Sequence, residues 1–268
     1  MSSISSFALL ALLLLSSRLE PASAQEAAVG FSYVVGSPTG PERWGDLRPE
    51  WATCKNGMMQ SPIDIRHENV QELPSLGRLM PIYSRSNATI QNTGYNIKVE
   101  WENGAGSINI NGTEYVLVEL HWHWPTEHFI NGRRYALELH MVHKSSDGKI
   151  AVIGILYKLS PISDLLLTTL TKAIQNVTGT LKEKKPIGAV DPRCIYIGFL
   201  ENYYRYMGSL TIPPCSQGVV WTVLQKVRFV SQNQVTLLQN AVNNEFKMNN
   251  ARPLQPLNGR PVYANCGF

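Results

Sequence analysis

Six histidines occur in this 268-residue chain, and four of them fall between residues 121 and 140. His121 and His123 lie two apart in a stretch that reads as a strand, so their imidazoles project from one face. Asn131-Gly132 is a turn signal, and Tyr135 to His143 reads as a strand running back antiparallel, which lets His140 lie opposite the pair. Three imidazoles meeting from two adjacent strands make a facial N₃ set for a zinc-like divalent ion, with the fourth tetrahedral position open. Glu138 is two residues before His140 and shares its face, placed to accept the other ring N–H and hold the tautomer. His128 and His143 read as structural histidines, the latter on the opposite face of the strand from His140. His67 sits in a polar loop and reads as solvated.

The elements that must position these groups are mostly strands. Residues 88–100 alternate around an Asn-Thr-Gly turn, and residues 107–120 read as two strands joined at Asn111-Gly112, a hairpin signal. Lys149 to Leu159 is a nearly continuous apolar run that suits a buried central strand. Val219 to Val230 reads as one further strand. Helical spacing is confined to Ser163–Ile174 and Ser231–Phe246. With no internal repeat and no low-complexity linker, residues 25–268 read as one domain built on a large, mostly antiparallel sheet with short peripheral helices.

Composition bounds the function. Hydrophobic residues make up 44% and charged residues 16%, enough for a core and too ordered for a disordered chain or a coiled coil. Lys+Arg number 24 against 20 Asp+Glu. The basic excess is slight and spread out, which argues against a nucleic-acid partner. Phe7 to Leu15 is an unbroken apolar run followed by Ala22-Ser23-Ala24, the pattern of a secretory leader over residues 1–24. A bilayer span needs about 20 apolar residues, so no membrane segment is expected. A signal anchor is the alternative reading of the leader. Secretion permits disulfides among the four cysteines, and it makes the sequons at Asn87, Asn111 and Asn176 candidates for glycosylation.

The run Glu119-Leu-His-Trp-His-Trp-Pro-Thr-Glu-His128, followed by Leu137-Glu-Leu-His-Met-Val-His143, resembles the zinc signature of the α-class carbonic anhydrases. Gly40-Pro-Glu-Arg-Trp-Gly45, Gln60-Ser-Pro-Ile-Asp-Ile65, Ser209-Leu-Thr-Ile-Pro-Pro-Cys215 and Asn250-Ala-Arg-Pro-Leu-Gln-Pro256 resemble further motifs of that family, in the same order along the chain. The short Trp124-to-Glu127 connection, the Tyr203-to-Met207 run and the leader are most similar to secreted plant members, the dioscorins of yam tubers included. The resemblance implies a mainly β, α+β roll of about ten strands. It also implies Zn²⁺ on His121, His123 and His140 with Glu138 and Glu119 behind them, and reversible hydration of CO₂ to bicarbonate with zinc hydroxide as nucleophile. A zinc-bound water pKa of about 7 is this family's own known value. Thr211 would bond the nucleophile and pass its proton toward Glu127. Val142, Val152, Leu210, Val219 and Trp221 match the apolar wall for CO₂. Cys54 and Cys215 match a family disulfide, while Cys194 and Cys266 stay open between pairing together, linking two chains, or remaining thiols.

Three positions depart from the family pattern. Tyr95 stands where active relatives often carry a proton-shuttling His, and a phenol with pKa about 10 shuttles poorly near neutrality. Glu119 replaces a common Gln, adding negative charge beside the metal. Ile212 is bulkier than the usual residue after Thr211. Two functions therefore compete: a CO₂ hydratase with slow proton export, and a dioscorin-type storage or binding protein with weak or no catalysis. No flavin or dinucleotide motif is present. The expected partners are CO₂ and bicarbonate, with no nucleic acid and no membrane. The chain is expected to be a monomer or dimer, in the apoplast or the vacuole.

Overall fold

The computed structural model describes residues 30–198 and 201–266; the leader lies outside the described residues. Fifteen strands form in chain order: β1 (Asp64–Ile65), β2 (Val70–Glu72), β3 (Ile82–Tyr83), β4 (Ser86–Asn92), β5 (Ile97–Glu100), β6 (Gly106–Ile110), β7 (Thr113–His123), β8 (Phe129–Ile130), β9 (Leu137–Lys144), β10 (Ile150–Leu159), β11 (Lys184–Val190), β12 (Tyr203–Ser209), β13 (Gln217–Leu224), β14 (Arg228–Val230) and β15 (Val262–Ala264). Four α-helices accompany them among the described residues, beside short 3₁₀ turns: α1 (Trp44–Leu47), α2 (Thr53–Asn56), α3 (Leu165–Val177) and α4 (Gln232–Ala241).

One sheet holds thirteen strands, and its main path runs β11-β4-β5-β7-β9-β10-β13-β12-β15-β2, ten strands as expected. Three more strands pair off that path, and β1 with β8 makes a small two-stranded sheet beside the large one. Most pairings are antiparallel. The exceptions are β10 with β13 and β14, β15 with β2, and β1 with β8.

The hairpin signals hold where the backbone demands them. Asn111 and Gly112 both take positive φ, 51° and 81°, in the two-residue β6–β7 loop, the geometry that favours Asn-Gly. Asn131-Gly132 instead closes a small turn of its own between Ile130 and Arg133, within the longer β7–β9 connection. The run at Val219–Val230 divides into β13 and β14. Both longer helices begin on side-chain caps. The Asp164 carboxylate accepts from the Leu167 N–H at 2.9 Å, and Ser231 with Gln234 forms a capping box.

The centre of the sheet is dry. In β9, residues Leu137 to His143 are all buried, on both faces, and in β10 residues Ala151 to Tyr157 are buried likewise. A large apolar cluster and a smaller one around Val142, Val152, Tyr206 and Trp221 divide the core. Cys54 and Cys215 are joined by a disulfide across 161 residues, which ties α2 to the loop after β12. The Cys194 thiol is not in that bridge and donates to the Asp191 carbonyl at 2.9 Å. The three sequon asparagines, Asn87 on β4, Asn111 at the hairpin tip and Asn176 on α3, are all exposed.

Candidate metal centre and active-site cavity

A β-bulge sets the site. In the β7–β9 ladder Leu117 pairs with His143 and Glu119 with Val142, so Val118 is the extra residue. The bulge switches the parity of β7. Before it Tyr115 and Leu117 enter the core; after it Leu120 and Trp122 do. The opposite set, Glu119, His121 and His123, then faces the same side as the β9 residues Glu138, His140 and Val142. The register places His121 directly against His140 and His123 against Glu138.

One nitrogen from each of His121, His123 and His140 lies within 4.8 Å of the others. The remaining ring nitrogens are fixed from behind. His121 Nδ1 faces Glu119 Oε2 at 3.1 Å, His123 Nδ1 faces the Asn250 carbonyl at 2.7 Å, and His140 Nε2 faces Glu138 Oε1 at 2.8 Å. Those three acceptors leave Nε2, Nε2 and Nδ1 as lone pairs turned to a common point. His123 Nε2 is buried with no hydrogen-bond partner among the described residues, a costly state that a bound cation relieves. Burial, then the neighbouring His140 and His121, hold the His123 pKa well below its ordinary value. Burial takes His140 down to about 4 against the pull of Glu138. His123 and His140 are therefore neutral near pH 7, and the three-imidazole donor set fits Zn²⁺. A second cluster, His128, Glu138 and His140, is already closed by hydrogen bonds: His128 Nδ1 faces Glu138 Oε1 at 2.7 Å and His128 Nε2 faces the Tyr206 hydroxyl at 2.7 Å.

Glu127 and Thr211 come together beside the triad. Glu127 is fully buried, its Oε1 accepts from the Arg252 N–H at 2.8 Å, and its carboxylate lies 3.6 Å from His123 Nδ1 and 3.9 Å from His140 Nδ1. Burial raises its pKa to about 8, opposed by the Thr211 hydroxyl and the Arg252 N–H. Oε2 lacks a full hydrogen bond among the described residues. The Thr211 hydroxyl lies against this carboxylate and opposes the rise in its pKa.

These groups open onto a cavity of about 520 Å³ whose lining includes His121, His140, Glu119, Thr211, Val142, Val152, Leu210 and Trp221. Val219, expected on that wall, is buried in one cluster with the wall residues Val142, Val152 and Trp221. Ile212 and Tyr95 both line the cavity. Tyr95 is no swinging side chain. Its ring packs 5.3 Å from Phe31 and 6.3 Å from Phe246, and burial pushes its pKa up to about 12, with Glu119 adding to the rise.

The reading of His67 as solvated is corrected: its Nε2 bonds the Tyr204 hydroxyl at 2.7 Å. His128 and His143 are structural, His143 with the Tyr83 hydroxyl at 2.8 Å. Sequence reasoning missed Asn250 and Arg252 as site residues. Asn250 orients His123 through its carbonyl, and its side chain binds the backbone at Tyr95, Trp122 and Trp124. The Arg252 guanidinium spans Gln60, Ser61 and Cys54. Both lie in the stretch noted only as a C-terminal motif.

The sequence profile of the eukaryotic-type carbonic anhydrases matches residues 39–266. Alpha carbonic anhydrase 7 of Arabidopsis thaliana is 49% identical over 87% of this chain and 84% of its own length. Dioscorin DB3L of Dioscorea polystachya is 46% identical over 87% and 85%. Among solved structures, a dioscorin complexed with ascorbate superposes with a TM-score of 0.85 at 44% identity, covering 89% of this chain and 98% of that one. The α-carbonic anhydrase of Thermovibrio ammonificans with sulfanilamide superposes at 0.77 and 33% identity, covering 88% and 99%. Matching profile, relatives and fold over nearly the whole described length, the chain belongs to the eukaryotic-type, α-class carbonic anhydrase family.

Proposed function

We propose that this protein is a working carbonic anhydrase, hydrating CO₂ reversibly to bicarbonate, with Zn²⁺ held by His121, His123 and His140. The observation that carries the reading is the convergence of three imidazole nitrogens within 4.8 Å, one of them buried and otherwise unsatisfied. When bound, Zn²⁺ would supply the Lewis acidity that makes a nucleophile from water near neutral pH. Glu119, Asn250 and Glu138 hold the three rings in the tautomers that ligation requires.

The rest of the work falls to the chain's own residues. Thr211 sits between the Glu127 carboxylate and the cavity. With Zn²⁺ bound, its positive charge would hold Glu127 ionised against the burial that raises its pKa, and a hydroxyl that donates to a carboxylate has only its lone pairs left for the reacting side, so the pair would fix how the nucleophile is oriented. The Thr211 N–H would meet charge developing on substrate oxygen. Val142, Val152, Leu210 and Trp221 offer CO₂ a surface that excludes ordered water. Tyr95, immobile and with its pKa near 12, carries no proton outward at pH 7, so export falls to soluble buffer. A leader over residues 1–24 would direct the protein to the secretory route.

One observation favours a second reading, a dioscorin-type binding or storage protein. The cavity is large for a three-atom gas, and a similar dioscorin has been solved with ascorbate. Zinc stoichiometry and CO₂ hydration on one purified sample separate the two. One zinc per chain with sulfonamide-sensitive hydration supports the enzyme; full zinc loading with no hydration above buffer overturns it.

A further inference from the structure

The three sequons take no part in the metal centre, and the fold treats them differently. Asn87 and Thr89 both lie inside β4. Asn87 pairs with Ala189 on β11, Thr89 pairs with Pro186 on β11 and Glu100 on β5, and Ala88 between them is buried. Asn176 lies in the last turn of α3. It is followed by Val177, which is wholly buried, and by Thr178, whose hydroxyl donates to the Ile174 carbonyl at 3.1 Å. Asn111 is free of such ties. With Gly112 it forms the exposed tip of the β6–β7 hairpin, and a Cβ added to Gly112 would meet nothing within 4 Å. This tip stands beside a second turn. Val116 on β7 registers against Lys144 on β9, which brings residues 145–149 to the same end of the sheet. Between the two turns is an open recess of about 570 Å³ whose polar lining includes Glu114, Lys144, Ser145, Ser146 and Asp147. Asp147 is held in place by the Ser145 hydroxyl at 2.5 Å and Lys149 Nζ at 2.7 Å.

We propose that Asn111 carries an N-linked glycan whose first N-acetylglucosamine units lie along this recess. The proposal rests on the secretory reading of the leader, because the sugar donor and its transferase face the lumen. In the transfer, the Asn111 amide nitrogen bonds the anomeric carbon of a lipid-diphosphate oligosaccharide. The bond from that carbon to the diphosphate oxygen breaks, the lipid diphosphate leaves, and the amide gives up one proton. The asparagine and the hydroxyl two residues on must enter the transferase together, on a segment clear of its neighbours. Asn111 meets that demand in the folded chain. Asn87 would have to leave two flanking strands. Asn176 would draw Val177 from the core, at about 1.5–3 kcal/mol for that side chain alone. Asn111 is therefore the sequon that stays open after folding, while the other two compete with it. The hydroxyls and acetamide N–H of the sugar match a recess of carboxylates, hydroxyls and an ammonium. Lys144 lines both this recess and the histidine cavity, so the glycan stands beside the active site.

The full chain is expressed in a secreting eukaryotic cell as wild type, as Thr113→Ala, and as Asn111→Asp, which keeps a residue tolerant of positive φ. Glycosidase release in heavy-oxygen water reports occupancy at each asparagine. Asn111 is expected to be occupied in most molecules, Asn87 and Asn176 in a minority, and both variants lose the Asn111 glycan. Slowing folding with Cys54→Ser and Cys215→Ser together should raise occupancy at Asn87 and Asn176 and leave Asn111 as it was. Amide exchange over residues 144–149 should be about 2–10-fold slower than in enzymatically deglycosylated protein, as one added hydrogen bond gives. Secreted protein with its leader removed and Asn111 bare overturns the proposal and leaves the secretory reading; a chain that keeps its leader and stays in the cytosol overturns both. Equal occupancy of the three sites in wild type overturns the argument from the fold, and an occupied Asn111 with unchanged exchange at 144–149 overturns the seat in the recess.

Discussion

Glu138 has the most consequential hydrogen bonding in the molecule, and replacing it with Gln separates metal binding from folding. The carboxylate is fully buried and accepts four hydrogen bonds. Oε1 takes His128 Nδ1 at 2.7 Å and His140 Nε2 at 2.8 Å, and Oε2 takes the backbone N–H groups of Glu127 and His128, each at 2.8 Å. Burial alone would raise its pKa, but His128 and His140 overcome that and hold it well below the carboxylate range. Glutamine keeps the shape and offers one acceptor oxygen and one donor NH₂. If the NH₂ faces the two backbone N–H groups, donors confront donors that cannot invert, at about 1–3 kcal/mol for each unsatisfied group. If it faces the imidazoles, both rings can turn to accept by changing tautomer. His128 then donates from Nε2 to the Tyr206 hydroxyl, which tolerates either direction. His140 then carries its proton on Nδ1, the nitrogen aimed at the metal position.

The second arrangement costs the fold less, so Glu138→Gln is expected to remain folded, losing about 1–2 kcal/mol, while zinc affinity falls by about 10–100-fold or more. Glu138→Ala leaves all four donors unsatisfied and should lose about 4 kcal/mol or more, a large share of a typical domain's 5–15 kcal/mol. Urea denaturation measures the first quantity, and competition with a metallochromic chelator measures the second. Glu138→Gln with zinc affinity within twofold of wild type and stability within about 0.5 kcal/mol would refute the tautomer argument.

Other perturbations probe separate parts of the site. Tyr95→His should raise turnover in weak buffer and change it little in concentrated imidazole; an equal gain in both would sink the proton-export reasoning. Because Tyr95 packs on Phe31 and Phe246, the same variant should lose about 1–2 kcal/mol on unfolding, since an aromatic pair contributes about 0.5–1.5 kcal/mol beyond its area. Replacing Cys54 and Cys215 together by Ser removes a crosslink over 161 residues and should lower stability by up to about 5 kcal/mol in the chain-entropy treatment, read as a lower urea midpoint. Burial holds the His143 pKa down to about 4 against about 6.5 in an unfolded chain. Acid therefore protonates the unfolded state first. This contribution is complete above about pH 7 and declines as pH falls from 6.5 toward 4, by up to about 3 kcal/mol. His143→Gln should flatten that part of the stability–pH curve, and an unchanged slope would remove His143 as its source.

What was legible in the sequence follows from which atoms carry each interaction. His121, His123, His140 and Glu138 act through their side chains at period-two spacing, so residue type and strand geometry together announce them. The bulge at Val118 is written only faintly, as apolar residues that shift from Tyr115 and Leu117 to Leu120 and Trp122. Read as an unbroken alternation, β7 would send the histidines to the side of Tyr115, into the core. Asn250 was invisible for another reason: the atom that orients His123 is a main-chain carbonyl, which every residue possesses. Only the three backbone groups gripped by its side chain make asparagine specific there, and those lie about 125–155 residues away in sequence. Tyr95 shows the converse. Its type is plain in the sequence, but whether a ring swings or is clamped depends on Phe31, more than sixty residues earlier, so its immobility is a property of the fold.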